Sequence, residues 1–209
     1  MDKKSLKIIN ELMTRPGEKL KLSNGLSVQL QNVISEVRQR YGTAADFLVT
    51  FNKDRQKQAA AYPARAFRGT APSLAVMRSV YNSEVVTTWI MAQLDDINDF
   101  AGTAVKMSLD QMEQVAGIIE VEYYYFKVTE LLLFFHRLKT GRYGYFYGAV
   151  DPLKITASLK SFAEDRGREI KMYEQQAKRN EADLQQEEWA RTAVTRAEYE
   201  RLKAERNAA

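Results

Sequence analysis

Apolar residues recur at helical spacing along most of the chain. In the clearest stretch, Trp89, Ile90, Leu94 and Ile97 fall at intervals that bring side chains to one face of a helix. A break at Asn82 would make this stretch a separate helix, but the pattern is equally compatible with one longer helix. The same spacing predicts further helices over residues 2–13, 27–41, 43–61 and 73–81, with a loop over residues 62–72.

The most apolar stretch, residues 131–135, has only apolar side chains. A helix that is apolar on all sides is typical of a protein core. Ser108 and Gln111 have the capping-box spacing that starts a helix, and Gly141 fits a helix end. The sequence therefore predicts an all-α fold: a compact helical bundle around one long central helix, at about residues 109–139.

A second long helix is predicted to start at Asp151 and Pro152, because an acceptor side chain followed by proline is typical of a first helical turn. Its apolar residues become sparse beyond Tyr173, where the sequence still favours a helix but has little to bury. We therefore predict two parts, a helical core domain over residues 1–173 and a projecting helical tail over residues 174–209.

The composition agrees with an all-α protein of ordinary domain size. Of the 209 residues, 45% are hydrophobic, and only 10 are Gly and 4 are Pro, which leaves few of the turns that an all-β fold needs. The chain contains no Cys, which excludes disulfides and thiolate ligands. It shows neither the apolar run of a signal peptide nor one long enough to cross a membrane. We expect a cytoplasmic protein with no membrane partner.

Charge is distributed unevenly along the chain. The net charge is only +4, but residues 53–78 contain six basic residues and one acid. Residues 84–130 show the reverse, with nine acids and two bases. Because phosphate attracts positive charge, any nucleic-acid surface would have to lie in the basic segment, at the 137–142 loop entry or in the tail, and not in the acidic centre.

No catalytic or metal-binding motif is recognisable. The chain lacks the spacings of phosphate-binding loops, zinc hydrolases and serine hydrolases. Carboxylates on the predicted helices would need Glu-x-x-His pairs on two helices to bridge metal ions, and His136 is the only histidine. Solvated helix faces are the alternative interpretation of these acids. We therefore expect a non-enzymatic protein with no catalytic residues, no metal, no cofactor and no small-molecule substrate.

The best candidate for a binding site is the aromatic loop that follows the predicted central helix. It combines Lys139 and Arg142 with Tyr143, Tyr145 and Tyr147. Exposed tyrosines beside basic residues can stack on single-stranded bases and hold phosphates, and Tyr and Arg are also frequent in protein interfaces. In a third, structural interpretation, the rings pack beneath the loop and fix the angle between two helices. The sequence leaves these three alternatives open.

Arg65 and Arg68 are the second candidates for binding nucleic acid or a partner. They belong to the basic segment, residues 53–78, and lie in its predicted loop. The competing interpretation is an ordinary solvated surface. The tail offers a further surface for self-association, but it lacks the sustained heptads of a coiled coil.

Four stretches of the chain carry a family resemblance. They are GTAPSLA at residues 69–75, WIMAQLDDINDFAG at 89–102, TELLLFFHRLKTGRYG at 129–144 and FYGAVDPLKI at 146–155. They resemble an uncharacterised family of helical proteins encoded by bacterial prophages and by conjugative or other mobile elements. The resemblance covers about half of the chain, and its last motif is distinctive. It implies a mobile-element origin and an intracellular role, without an established activity.

The resemblance and the charge pattern together favour a non-enzymatic accessory protein of a phage or mobile element that acts in DNA replication or a related DNA transaction. In that interpretation the aromatic loop, Arg65 and Arg68 bind nucleic acid or a replication protein. The alternative is a structural or assembly protein that forms homo-oligomers through the aromatic loop and the C-terminal helix.

Overall fold

The computed structural model of the protein describes residues 24–194 and 196–207. Within these ranges the chain is helical and has no β-sheet, which confirms the predicted all-α fold. The helix predicted for residues 2–13 lies outside the described residues. Across the described part of the chain, no helix combines the length and the apolar character that crossing a membrane requires.

The described residues form ten helices, and the core lies where α3 and α6 pack on α8 and α6 packs on α7, with the start of α9 against α7 and α8. The helix bounds are α1 (Asn24–Tyr41), α2 (Ala44–Thr50), α3 (Arg55–Ala61), α4 (Pro63–Arg68), α5 (Leu74–Tyr81), α6 (Ser83–Ala101), α7 (Leu109–Glu122), α8 (Val128–Lys139), α9 (Pro152–Thr192) and α10 (Arg196–Asn207).

Local capping explains three helix starts that the sequence predicts. Thr43 and Asp46 form a reciprocal capping box at α2, in which the carboxylate accepts the Thr43 backbone N–H at 2.9 Å. Ser108 and Gln111 form the same arrangement at α7. At α9, the Asp151 carboxylate accepts a backbone N–H of the first turn at 2.8 Å. Each cap satisfies donors that have no acceptor within their own helix.

The predicted central helix over residues 109–139 is wrong, because two helices occupy this stretch. α7 ends at Glu122, and α8 begins only at Val128. The residues between them, 123–127, read YYYFK, and they include no Gly or Pro to mark a break. The sequence at the junction is thus compatible with a continuous helix, and the break has a tertiary cause.

Hydrogen bonds to the start of α5 explain the break. The backbone N–H groups of Leu74 and Ala75 lie in the first turn of α5 and have no acceptor within that helix. They donate to the carbonyls of Phe126 at 2.9 Å and Tyr124 at 2.8 Å. The Phe126 side chain is fully buried and meets Phe162 edge-on, with 5.6 Å between ring centroids. A continuous helix would use both carbonyls for its own N–H groups and leave the α5 donors unsatisfied.

Two predictions in the basic segment are also wrong. The helix over residues 43–61 is divided into α2 and α3, because the Phe51 carbonyl accepts the buried indole N–H of Trp89 at 2.8 Å. Residues 62–72, predicted as a loop, contain the short helix α4 with Pro63 at its first position. The first difference depends on a contact with a distant part of the chain, whereas the start of α4 has a local signal in Pro63.

The helix that contains Trp89 is separate from the one before it. Asn82 lies between α5 and α6 with a φ of 100°, outside the helical region. Its side-chain oxygen accepts the backbone N–H of Val85 at 3.0 Å and so caps α6. The apolar periodicity on either side of Asn82 therefore belongs to two helices.

The long C-terminal helix α9 continues well beyond the core. Ile155, Leu159 and Phe162 in its first turns are buried, whereas every α9 side chain over residues 178–192 is exposed. This agrees with a projecting tail, since these residues have no core to contact. The division into two domains at residue 173 stays a prediction.

We expect Phe126→Ala to destabilise the protein by about 3–5 kcal/mol, because it removes a fully buried ring and leaves a cavity. Tyr124→Ala is the matched control: Tyr124 lies in the same turn and is 55% exposed, so its loss should stay within about 0.5 kcal/mol. Urea unfolding followed by circular dichroism measures both values. Similar losses in the two variants would contradict the assigned packing of the turn.

Candidate functional site

The aromatic loop is a tight connection between α8 and α9. Gly141, Gly144 and Gly148 have φ values of 74°, 93° and 74°, a region that glycine enters without steric penalty. Val105, from the α6–α7 connection, donates its N–H to the Gly148 carbonyl at 3.2 Å and accepts the Val150 N–H at 3.0 Å. These bonds hold the end of the loop against the α6–α7 connection.

The three tyrosines of the aromatic loop have different environments. Tyr143 is half-buried, and its ring stacks on Phe134 with 6.1 Å between centroids. Burial raises the pKa of its hydroxyl, although the nearby Arg137 guanidinium acts in the opposite direction. Tyr145 and Tyr147 are 67% and 86% exposed. Tyr143 therefore packs as the structural interpretation proposed, whereas Tyr145 and Tyr147 present aromatic surface to solvent.

Both cations of the aromatic loop are paired with carboxylates. Arg142 Nη2 lies 3.1 Å from Asp165 Oδ2 and 3.2 Å from Glu169 Oε1, both on α9. Lys139 forms an ion pair with Asp96 on α6. A phosphate at this loop would have to displace these carboxylates or tolerate their negative charge. The geometry therefore favours a protein contact over a nucleic-acid contact at the loop, and the binding role of its residues stays a prediction.

Beneath the aromatic loop, Arg137 joins α8 to α9. Its side chain is buried, and Nη2 donates to Glu169 Oε2 at 2.7 Å. Its guanidinium lies 5.8 Å from the ring centroid of Phe67 and 5.7 Å from that of Phe162, within cation–π range. Glu169 thus binds Arg137 and Arg142 together. The sequence did not indicate this role, since nothing distinguishes Arg137 from the other bases near it.

The basic residues of α3 and α4 lack the acidic partners that the loop cations have. Within the described chain, no carboxylate lies at ion-pair distance from Arg55, Lys57, Arg65 or Arg68. Arg68 instead donates to the backbone carbonyl of Tyr173 at 3.4 Å. All four basic side chains are exposed. We refer to Arg55, Lys57, Arg65 and Arg68 as the basic surface.

The predicted site residues do not form one group. Arg142 and Arg68 both contact α9, about one turn apart. Lys139 pairs instead with an acid of α6, and Arg65 lines a pocket beside α3. α9 therefore joins the aromatic loop to the basic surface through Arg68 and Arg142.

Arg65 lies in a pocket of about 260 Å³ that is bordered by residues of α1 to α4. Arg40, in the last turn of α1, and Arg55, at the start of α3, line the same pocket. Arg40 Nη1 donates to Thr70 Oγ1 at 2.6 Å, which ties the end of α1 to the turn after α4. Sequence reasoning missed Arg40, because no local pattern shows that these two chain segments meet.

The junction before α8 fixes the position of α4. Lys127 Nζ donates to the carbonyls of Phe67 at 2.8 Å and Gly69 at 2.7 Å. Thr129 Oγ1 donates to the carbonyl of Ala66 at 2.8 Å. The last carbonyls of a helix lack intrahelical donors, and a cation there also suits the helix dipole. These bonds hold the C-terminal end of α4, and with it the wall of the pocket.

The central carboxylates make separate structural contacts. Glu130 is fully buried and accepts Arg166 Nε at 3.0 Å and the Lys127 backbone N–H at 2.8 Å. Burial raises the pKa of its carboxyl, and these two partners oppose the rise. Glu120 accepts the hydroxyl of Thr87 at 3.0 Å. Over the described residues, no three His, Asp or Glu side chains come together in a group that could hold a metal ion.

The fold and these surfaces define an all-α protein with exposed aromatic and basic side chains. Residues 106–207, slightly less than half of the chain, match the model of a family of unknown function (DUF6633). The match includes α7, α8, the aromatic loop and α9, but not the basic surface on α3 and α4. No curated protein and no solved structure matches the chain. The family match supports a resemblance to an uncharacterised family and assigns no activity.

His136 provides a test of the electrostatics beside α3. Burial lowers the pKa of its imidazole below the ordinary value of 6.5, and the positive charges of Lys139 and Lys57 lower it further. Because the unfolded chain then binds this proton more tightly, the contribution of His136 to stability decreases as pH falls through 6.5 and the depressed folded pKa. Lys57→Gln should raise the folded pKa towards its ordinary value.

Proton NMR measures this pKa directly, because the chain has a single histidine. Lys178→Gln removes the same charge from an exposed position on the distal part of α9 and should leave the titration unchanged. An imidazole that titrates at or above 6.5 in the wild type, or that responds equally to both substitutions, would contradict the described surroundings of His136.

Proposed function

We propose that this chain is a non-enzymatic accessory protein of a phage or mobile element that acts in a DNA replication-type transaction. The basic surface binds the phosphates of DNA, and the aromatic loop contacts a protein partner. One observation carries the proposal: the basic side chains of α3 and α4 are exposed and have no acidic partner in the described chain. They are Arg55, Lys57, Arg65 and Arg68.

Several features of the basic surface suit a nucleic-acid backbone. Binding to phosphates gains free energy from released counterions. Basic side chains that are not paired with a carboxylate can replace those counterions directly. Arg65 and Arg68 are three residues apart on α4 and therefore lie on neighbouring parts of its surface. Tyr62, immediately before α4, is 61% exposed and offers a ring on which a single-stranded base can stack.

The aromatic loop suits a protein partner better than DNA. Tyr145 and Tyr147 are exposed, but the adjacent Arg142 is paired with two carboxylates of α9. The Tyr145 ring lies so close to Gly141 that a Cβ there would be 2.5 Å from it. The exposed ring lies directly against the backbone of the loop, where a partner can cover it. Tyrosine is also among the residues that contribute most to protein interfaces.

The mobile-element origin in this proposal is supported by the sequence resemblance. Two of the four motifs that carry it, at residues 129–144 and 146–155, lie inside the span matched by the family of unknown function. Those motifs form all of α8 after its first residue, the aromatic loop and the start of α9. The resemblance and the family match therefore overlap at the loop.

A structural or assembly role is the second candidate, and the tail is the observation that favours it. Leu184, Trp189, Val194 and Tyr199 are between 50% and 72% exposed on the distal part of the chain. Large apolar side chains that have no core to contact can be covered by a second copy. In this role the aromatic loop and the tail would be self-association surfaces.

We expect the wild type to bind single-stranded DNA with 5′-hydroxyl ends at low salt. Arg65→Ala/Arg68→Ala should weaken this binding and reduce the slope of log affinity against log salt by about 1 to 2, because two phosphate contacts are lost. Fluorescence anisotropy across a salt series measures both quantities. Duplex DNA is titrated in parallel to establish which form is bound.

Two control variants make this test specific. Arg179→Ala/Arg191→Ala removes the same charge from exposed positions of the tail and should preserve the slope. Arg142→Ala/Tyr145→Ala should also preserve it, because Arg142 is held by carboxylates. Absence of wild-type binding at low salt would end the DNA proposal, and equal slopes in all three variants would show that the basic surface is not the contact.

Sedimentation velocity distinguishes the two candidate functions. The accessory-protein proposal predicts a sedimentation coefficient that does not change with protein concentration. The assembly alternative predicts a concentration-dependent oligomer, which Leu184→Ser/Trp189→Ser should dissociate because it removes the largest exposed apolar groups of the distal α9. If the wild type is a monomer, the same substitutions should not change its sedimentation coefficient. A monomer at all concentrations, in the wild type and in the variant, would reject the assembly role.

A further inference from the structure

Three arginines meet in the pocket that Arg65 lines. Arg40 comes from the end of α1, Arg55 from the start of α3 and Arg65 from α4. No Asp or Glu is among the pocket residues, and in the part of the chain described here no carboxylate lies at ion-pair distance from any of the three. Like charges in one cavity repel each other. A bound anion would relieve this repulsion.

Neutral side chains hold two of the guanidinium groups in place. Arg40 Nη1 donates to Thr70 Oγ1 at 2.6 Å, and its guanidinium lies 5.5 Å from the centroid of the Tyr41 ring. Arg55 Nη1 donates to Gln58 Oε1 at 2.9 Å. Each of these hydrogen bonds uses one N–H of a group that has five. The contacts therefore orient the positive charge without cancelling it.

The remaining walls of the pocket suit an anion that is attached to an organic body. Phe51 and Leu132 are buried and provide apolar surface, and the half-exposed ring of Tyr62 lies at the same pocket. The volume of about 260 Å³ is below the range of roughly 300–1,000 Å³ that is typical of sites for drug-sized ligands. The pocket is therefore large enough for a terminal group and the part of the ligand next to it.

Arginine matches phosphate better than any other side chain, because its planar fork donates two parallel hydrogen bonds to two oxygens. A terminal phosphate carries about −1.5 to −2 charges at pH 7, whereas a phosphate within a strand carries one. We propose that the pocket formed by Arg40, Arg55 and Arg65 binds a terminal phosphate monoester. Three arginines that line one pocket without a carboxylate among its residues suit the higher charge of the monoester.

This inference goes beyond the DNA contact proposed above. That contact involves phosphodiesters on the exposed basic surface, and Arg68 belongs to it but does not line the pocket. Arg40 lines the pocket but does not belong to the basic surface. A terminal phosphate can come from a free nucleotide or from the 5′ end of a strand, and both sources share the chemistry that the pocket recognises.

Isothermal titration calorimetry of the full chain with thymidine 5′-monophosphate and with thymidine tests the inference. We expect the monophosphate to bind at least about tenfold more tightly, because only it makes charge-assisted hydrogen bonds to the arginines. Arg40→Gln and Arg65→Ala should each weaken the monophosphate by about tenfold or more for the same reason. Arg179→Ala is the charge-matched control and should have no effect.

The source of the phosphate is identified by comparing 5′-phosphorylated and 5′-hydroxyl forms of one short oligonucleotide. If the terminal phosphate increases the affinity of the strand more than it increases that of thymidine, strand ends are the ligand, and the reverse order indicates a free nucleotide. Either order supports the pocket, provided that Arg40→Gln abolishes the preference for phosphate. Arg40→Gln should leave the binding of 5′-hydroxyl DNA unchanged, whereas Arg68→Ala should weaken that binding and spare the monophosphate.

The inference is overturned if thymidine and its monophosphate bind equally, if neither binds, or if Arg40→Gln and Arg65→Ala behave like Arg179→Ala. Thermal unfolding of each variant shows whether it is folded, and the exposure of these side chains predicts small changes in stability. A wild type that binds 5′-hydroxyl DNA but shows no preference for the phosphate would reject the pocket and keep the proposed function. The opposite result would keep the pocket and reject the DNA contact.

Discussion

The arrangement of the helices depends on the hydrogen bonds that residues 123–127 make to the start of α5. The first N–H groups of a helix need acceptors outside it, and here they are the carbonyls of Tyr124 and Phe126. The same turn buries the Phe126 ring and places Lys127 at the last carbonyls of α4. One short junction thus fixes the ends of α4, α5 and α7, and α4 carries Arg65 into its pocket.

The all-α fold could be predicted because its signals are local. Helical periodicity identifies most of the helices, and pairs such as Thr43 and Asp46 mark where they begin. The helix breaks after Thr50 and after Glu122 could not be predicted, because their causes lie elsewhere in the chain. α2 ends where the Phe51 carbonyl meets the Trp89 indole, and α7 ends where α5 needs acceptors. At each break the residues themselves are compatible with a helix, so only the tertiary partner decides.

In the candidate site, too, the local features could be predicted from the sequence and the tertiary contacts could not. The composition of the aromatic loop could be read from the sequence, and the exposure of Tyr145 agrees with a binding role. The pairing of Arg142 with Glu169 could not be foreseen, because it depends on α9 folding back beside the loop. Of the alternatives that the sequence left open for the loop, this pairing favours a protein contact over a phosphate contact. The meeting of Arg40 with Arg65 is equally non-local, since it requires α1 to reach the end of α4.

Hydrogen exchange of the Leu74 and Ala75 amides, followed by NMR, tests the central claim about the junction most directly. These donors are bonded to the Phe126 and Tyr124 carbonyls, so they should be protected like amides within the core helices. The amide of Asp110, in the first turn of the exposed start of α7, provides an internal reference for a fast-exchanging donor. Exchange of Leu74 and Ala75 as fast as that reference would contradict these hydrogen bonds and the explanation of the helix break that depends on them.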